Sequence, residues 1–317
     1  MTVLDWLLDG DPAIRWQVFR DLTDASADEV AAERSRVARE GWGAQLLALQ
    51  EADGHWDGGA YRPGWVDESK PFYDAWTATH FSLQTLRDYG VDPADPSVRA
   101  AIELVRGGVE WSEEDGGRPY FGGTSEPCMA GVLLGSSVYF GQDAAATLAA
   151  LLSSQLADGG WNCQRSPVGS FHSTICAVEG LLAWEQGADP DDPLLPTARA
   201  ARLHGEEYLL ERRLLRRRTT GELVDPRFTM LSYPVRWYYD VLRALEHFRL
   251  ARPQGDPRMT NAVELVRTKP DAEGRWRLEN KHKGATPFYM DREREGEPSR
   301  WVTLRALRVL RWADAIQ

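Results

Sequence analysis

Apolar residues recur at intervals of three and four along most of the chain, with charged residues filling the positions between them. No segment alternates apolar and polar with period two over the length of a strand, so the pattern predicts a nearly all-α protein. The clearest helix start is DPSVRAAIELVR (95–106), where Asp95 is placed to cap and Pro96 takes the first helical position. A second segment, DPRMTNAVELVR (256–267), shares seven of its twelve positions in register and predicts a helix of the same kind. Such internal repetition decides architecture before any single element does.

The turns repeat as well. ADGHWDGG (52–59), EWSEEDGG (110–117), ADGGWNC (157–163) and DAEGRW (271–276) each follow an amphipathic helix and precede a more apolar one. The last two of these apolar helices share the string LRAL. The segments 126–140 and 170–185 are apolar or small on nearly every side, which requires burial on both faces. An open stack of hairpins would leave one face of each such helix in water. The expected fold is therefore an all-α (α/α) toroid of about five to six helical hairpins, with the second helix of each pair inside and lining a central cavity. Residues 27–317 form this single domain, and two short helices within residues 1–26 pack on the ring. The fourth repeat carries RRTTGELVDPRF (217–228) in place of a Gly-Trp turn and should be the most irregular.

Composition narrows the function. Hydrophobic residues make up 43% of the 317 positions and charged residues 27%, as in a packed globular protein. A net charge of −11 argues against nucleic acid as a partner, despite the local basic run ERRLLRRRTT (211–220). Three cysteines do not make a disulfide framework. The first residues, MTVLDWLLDGDPAIRW, carry acids where a signal peptide carries basic groups, and the longest apolar-leaning stretch (144–157) is too short and mixed to span a bilayer. A cytoplasmic setting without membrane insertion is expected. There, neighbouring Cys and His point to metal or catalytic chemistry rather than to bridges.

The stretch QLADGGW (155–161), with a looser copy LQEADGHW (49–56), resembles the QW repeat of squalene–hopene and oxidosqualene cyclases. With the paired helices around it, the chain from about 27 to 315 resembles the α/α-toroid superfamily of triterpene cyclases and protein prenyltransferase β-subunits. In QW turns the Gln and Trp tie helix ends together, and that is the expected role of Gln155 and Trp161. The acid motif of the cyclases has a formal counterpart in Asp189-Pro190-Asp191-Asp192, but its Pro-rich flanks predict a hydrated loop. The prenyltransferases hold zinc with an Asp-x-Cys pair and a later His. Here Glu126-Pro127-Cys128 and His172 take those places, with Glu in place of Asp and the His one repeat closer. The resemblance thus implies Cys128 and His172 as ligands.

The residues themselves suggest a wider set. Cys128 opens one inner helix, Cys163 lies in the turn before the next, and His172 falls in that helix's first turn, all at one end of the ring. Two thiolates and an imidazole, with Glu126 or water as the fourth ligand, suit tetrahedral Zn²⁺. Cys176, in ICAVEGLL, reads as core. Tyr73, Trp76, Tyr120, Phe121, Phe171, Trp237, Tyr238 and Trp301 all fall near starts of inner helices and predict a pocket for an apolar chain at the Gly/Trp end. Arg236 and Arg300 are placed to hold an anionic head group. Asp240, among aromatics, is either paired with an arginine or a general acid of raised pKa. The expected function is a zinc-dependent prenyl or alkyl transferase-like enzyme acting on a small apolar, isoprenoid-like substrate. The alternatives are a metal-free terpene cyclase that uses a cavity acid, and a non-catalytic protein that binds an apolar ligand. Lanthionine cyclases also look similar, which leaves thiol activation without an isoprenoid open.

Overall fold

The structure is a computed structural model that describes residues 1–66, 75–113, 115–124, 126–286 and 293–316. Among these residues there are thirteen α-helices and no β-sheet, only isolated bridging pairs such as Trp161 with Ser170. The helices are α1 (Val3–Leu8), α2 (Pro12–Leu22), α3 (Ala27–Ser35), α4 (Gly41–Ala48), α5 (Thr79–Tyr89), α6 (Pro96–Gly108) and α7 (Pro127–Tyr139). They continue with α8 (Ala145–Ser154), α9 (Phe171–Gly187), α10 (Leu195–Glu211), α11 (Val241–Ala251), α12 (Thr260–Arg267) and α13 (Arg300–Ala315). None is long and apolar enough to cross a membrane.

The starts follow the expected chemistry with one difference. Asp95 caps α6 through the Ser97 amide, with Pro96 at the first position. The related Asp256 instead caps a short 3-10 turn, Pro257–Met259, and α12 begins only at Thr260. In α5, α7, α9 and α11 most side chains are buried and in α13 half are, whereas α6 and α12 bury one stripe. Packing runs from α5 to α7, then to α9, α11, α13 and α2. From α2, the Trp16 indole donates to the Tyr89 carbonyl (2.7 Å) and the Gln17 amide to the Asp88 carbonyl (3.1 Å), which returns the contacts to α5.

Three of the Gly/Trp turns share one construction. The indoles of Trp56, Trp161 and Trp276 donate to the carbonyls of Leu46, Leu151 and Val266 in the preceding outer segment (2.7–2.8 Å). The backbone N–H of the same tryptophans donates to Thr79, Thr174 and Thr303 at the starts of α5, α9 and α13 (2.9–3.2 Å). Gln50 and Gln155 each bridge their own turn to a carbonyl of the next outer helix, Ala101 and Ala201 respectively. Between α10 and α11 no such turn exists. The chain there passes through left-handed Arg213 and Leu214 and a 3-10 turn at Pro226–Thr229. The basic run lies here and is largely exposed.

The threonine hydroxyls should therefore matter out of proportion to their size. Thr303→Val keeps the shape but leaves the buried Trp276 N–H without an acceptor, at a cost of about 1–3 kcal/mol. Denaturant unfolding should show that loss as a lower midpoint with an unchanged slope. A neutral substitution would mean that the turn does not depend on this bond.

Candidate functional site

The contact that builds the site is between two glycines. A Cβ on Gly131 would lie 2.2 Å from the Cys176 carbonyl oxygen, and one on Gly180 would lie 2.3 Å from the Gly131 carbonyl oxygen. With no side chains between them, α7 and α9 pack backbone against backbone, and their N-terminal ends are brought together. Pro127 starts α7, so Cys128 sits in its first turn. The turn before α9 then delivers Cys163 onto it. The two sulfurs are 2.6 Å apart, and the Cys128 N–H donates to the Cys163 sulfur at 3.3 Å. Ser173, in the first turn of α9, donates its hydroxyl to the Cys163 sulfur (3.2 Å) and accepts the Cys163 N–H (3.2 Å). Glu126 makes no cap to α7 with its side chain, and its carboxylate lies 3.9 Å from the Cys128 sulfur. One ligand atom from each of Glu126, Cys128 and Cys163 falls within 4.8 Å of the others.

These donors decide where the negative charge sits. Close contact with the Cys128 side chain, aided by the Ser173 hydroxyl, holds the Cys163 thiol below its ordinary range, while the same contact and burial push Cys128 well up. Of the two thiols, Cys163 is the one whose deprotonation the surroundings favour, since it accepts the Cys128 N–H at the start of α7. Burial raises the Glu126 carboxyl, with Asp115 adding to the rise and Arg62 opposing it. Cys128 is buried, Cys163 half-buried and Glu126 exposed, so the cluster opens to solvent on its Glu126 side. Tyr61, buried beside it, has its phenol pushed well up by burial first and by Cys128 next.

His172 does not join the group of mutually close ligand atoms. Its Nδ1 accepts the Tyr239 N–H at 2.8 Å, and its ring packs against Phe228, Trp237 and Tyr238. Burial lowers its pKa to about 4. The aromatic candidates pack on one another instead of around a space. Trp237 stacks on Tyr238 (centroids 3.9 Å apart) and Tyr238 on His282 (3.8 Å). The Trp76 indole donates to the Lys283 carbonyl (2.6 Å), so the last loop plugs this end. Phe171 is enclosed by Tyr208, Phe228 and Tyr239, and Tyr120 stacks on Trp111 with Phe121 at its edge. Tyr73 lies outside the described residues.

The remaining candidates take structural positions. Asp240 is the N-cap of α11: one oxygen accepts the Arg243 N–H (2.8 Å) and the other the Ser232 N–H (3.1 Å), while burial raises its pKa. Arg300 donates to the Trp6 carbonyl and lies over the Trp6 ring. Trp301 is stacked between Tyr89 and Tyr233. Arg236 is buried over Trp76 and Phe81, and two of its nitrogens have no hydrogen-bond partner among the described residues. Asp189 and Asp191 are exposed. A cavity of about 490 Å³ does lie among the inner helices, but towards their C-terminal ends, and charged residues line it. Among the described residues, the aromatic candidates at the Gly/Trp end pack on one another. Sequence reasoning also missed Ser173 and Tyr61; a serine directly before a turn-binding threonine was the available signal for the first.

No family model matches the chain, and no curated protein matches it. Among solved structures it is similar to a crystal structure of a protein from Actinoplanes, with 18% identity, 98% of this chain and 97% of that chain covered, and a TM-score of 0.45.

The histidines at this end give the structure a pH dependence. His80 is fully buried against Tyr61, Trp111 and Tyr120, and burial lowers its pKa to about 3 from an ordinary 6.5. Its folded pKa is below the unfolded one, so the unfolded chain binds the extra proton. The stabilisation is full above pH 6.5 and is lost as pH falls from 6.5 towards 3. It amounts to up to about 1.4 kcal/mol per pH unit in that window. Denaturation at pH 7 and 5 should show the loss, and His80→Gln should reduce it. An identical pH slope in the variant would mean that His80 stays proton-accessible.

Proposed function

We propose that the chain is an (α/α) toroid of the cyclase and prenyltransferase type, with a zinc–thiolate centre on the rim of its Gly/Trp end. The circuit of contacts through α2, α5, α7, α9, α11 and α13 supports the ring. Support for the metal comes from one observation: two sulfurs 2.6 Å apart with a carboxylate in the same cluster.

The donor set fits zinc by its chemistry. Two thiols and a carboxylate are ligands that Zn²⁺ accepts, and three protein ligands leave one position open, as catalytic sites require. Cys128, Cys163 and Glu126 would hold the ion, and the two thiols, 2.6 Å apart here, would have to separate to share it. Bound there, zinc supplies a Lewis acid that holds a thiol or water in its deprotonated form. The chain's own groups do the rest. Ser173 and the Cys128 N–H fix Cys163 and stabilise its negative charge. Glu126 is the exposed ligand and the one nearest an incoming substrate. The interior behind the cluster is filled by rings, so the substrate approaches from the rim. The reaction class is transfer to, or hydrolysis by, an activated thiol or water; an apolar prenyl or alkyl group is the substrate that the resemblance implies.

Metal analysis tests this. Full-length protein purified with reductant should carry about one zinc per chain, removable by chelator and restored by Zn²⁺. Cys163→Ser should lose it while helical content by circular dichroism stays unchanged. Reduced protein that retains no zinc after loading overturns the proposal. If mass spectrometry of that protein, after the reductant is removed, finds Cys128 and Cys163 joined in a disulfide that reductant reverses, the pair is a redox couple instead.

A further inference from the structure

We propose that the central cavity is a second site, independent of the thiol cluster. It binds a small hydroxyl-bearing organic anion, a carboxylate or a phosphate ester, between Arg87 of α5 and Arg305 of α13. The cavity volume of about 490 Å³ falls within the roughly 300–1,000 Å³ typical of small-molecule sites. Helices α2, α5, α7, α9, α11 and α13 all contribute to its wall.

The charges on that wall differ in how fully they are engaged. Arg243 is saturated: it forks onto Glu179 (2.9 and 2.6 Å) and donates to the Tyr238 carbonyl (2.6 Å) and the Arg236 carbonyl (3.2 Å). Arg308 is likewise held by Glu246 and Gln17. Arg87 and Arg305 are not. Arg87 makes one hydrogen bond, to the Val132 carbonyl at 3.3 Å, and lies 3.5 Å from Asp88. Arg305 makes one, to the Ser232 carbonyl at 3.2 Å, and stands 3.7 Å from Glu246. A guanidinium offers five N–H groups, so each keeps donors in hand. Arg305 is only 6% exposed, and its carboxylate neighbour Glu246 is already forked by Arg308, so its remaining N–H groups are left to the cavity.

The wall also holds acceptors. Asp88 and Glu179 each leave 30% of their side-chain surface open, and the Gln84 amide oxygen has no partner among the described residues although the residue is 3% exposed. Burial raises the Asp88 carboxyl, while Arg87, Arg305 and Arg243 pull it down and Glu179 pushes it up, so these groups share one field. Cationic donors beside free acceptors suit an anion that carries hydroxyl groups. An isoprenoid chain in the same place would strip water from charges without replacing it. Room for Arg87 is made by Gly135 of α7: a Cβ there would lie 2.4 Å from an Arg87 terminal nitrogen.

Calorimetric titration of the full chain decides the matter, with glycerol 3-phosphate and malate as the two anions and glycerol and geraniol as the uncharged and apolar controls. One anion should bind saturably at one site per chain, and the controls should not; which anion binds separates phosphate from carboxylate. Arg87→Gln and Arg305→Gln should each weaken binding by roughly tenfold or more, the worth of a charge-assisted bond. If Arg305→Gln fails to fold, Gly135→Ala, which displaces only the end of Arg87, carries the test with Arg87→Gln. Cys163→Ser should bind as wild type, so loss of the metal reading leaves this one standing. No saturable binding of either anion at millimolar concentration overturns the proposal. So does an affinity unchanged in both Arg87→Gln and Gly135→Ala, or a preference for geraniol.

Discussion

Each of three tryptophans joins an outer segment to an inner helix through two separate hydrogen bonds, and the positions of the functional groups descend from that. The indole reaches back ten residues to close the end of the outer segment, while the amide of the same residue is taken by a threonine at the start of the inner helix. Both bonds are buried, so neither can be exchanged for water without cost. Together they fix the height at which the inner helix begins. Residues next to the threonine inherit that height: His80 after Thr79, Ser173 before Thr174, Arg305 two places after Thr303. Cys163 follows Trp161 by two residues, so one turn holds both the thiol and, through Thr174, the serine that donates to it.

How much of this can be read from the chain alone depends on how local each signal is. The helices and the Gly/Trp turns are local, and their periodicity and turn chemistry place them well. The Trp–Thr pairing is not, because the partners are separated by 23, 13 and 27 residues and no fixed spacing marks them. Cys128 and Cys163 are legible because each sits beside a recognisable helix start or turn. His172 fails for a geometric reason. It precedes Ser173 by one residue, which is about 100° of helix rotation, so when Ser173 faces Cys163 the imidazole faces Tyr239. The cluster's carboxylate comes instead from Glu126, whose side chain the α7 cap leaves free.

The charged cavity shows a second limit. Arg243 and Arg305 occupy the same place in the repeated string LRAL, and a polar stripe on an amphipathic helix normally faces water. Periodicity reports that a stripe exists, not which solvent it meets. On one helix the stripe meets bulk water, while in the middle of a circuit of helices it meets a cavity. Aromatic side chains show the reverse ambiguity. Their accumulation at helix starts is compatible with a lined pocket or with a packed plug, and the plug forms here because the 280–286 segment inserts His282 and the Lys283 carbonyl among them.

The two ends are thereby given opposite electrostatics, and Arg243 stands at the boundary. Towards the cavity it pairs with Glu179; towards the aromatic end it donates to the Tyr238 carbonyl and to the Cys176 sulfur. The Asp240 cap fixes the first turn of α11 from which it projects. On the aromatic side, burial lowers the pKa values of His172 and His282 to about 4 and about 3, and Arg243 contributes to both shifts. A guanidinium held by this many acceptors has no freedom to swing, so it acts as a wall rather than a gate. Burial first, with Arg243 adding to it, disfavours the charged imidazoles behind it, while Arg243 holds the Glu179 carboxyl in front of it below its ordinary range. A charge-lined cavity and a ring-packed end thus share one set of helices, with Arg243 touching both.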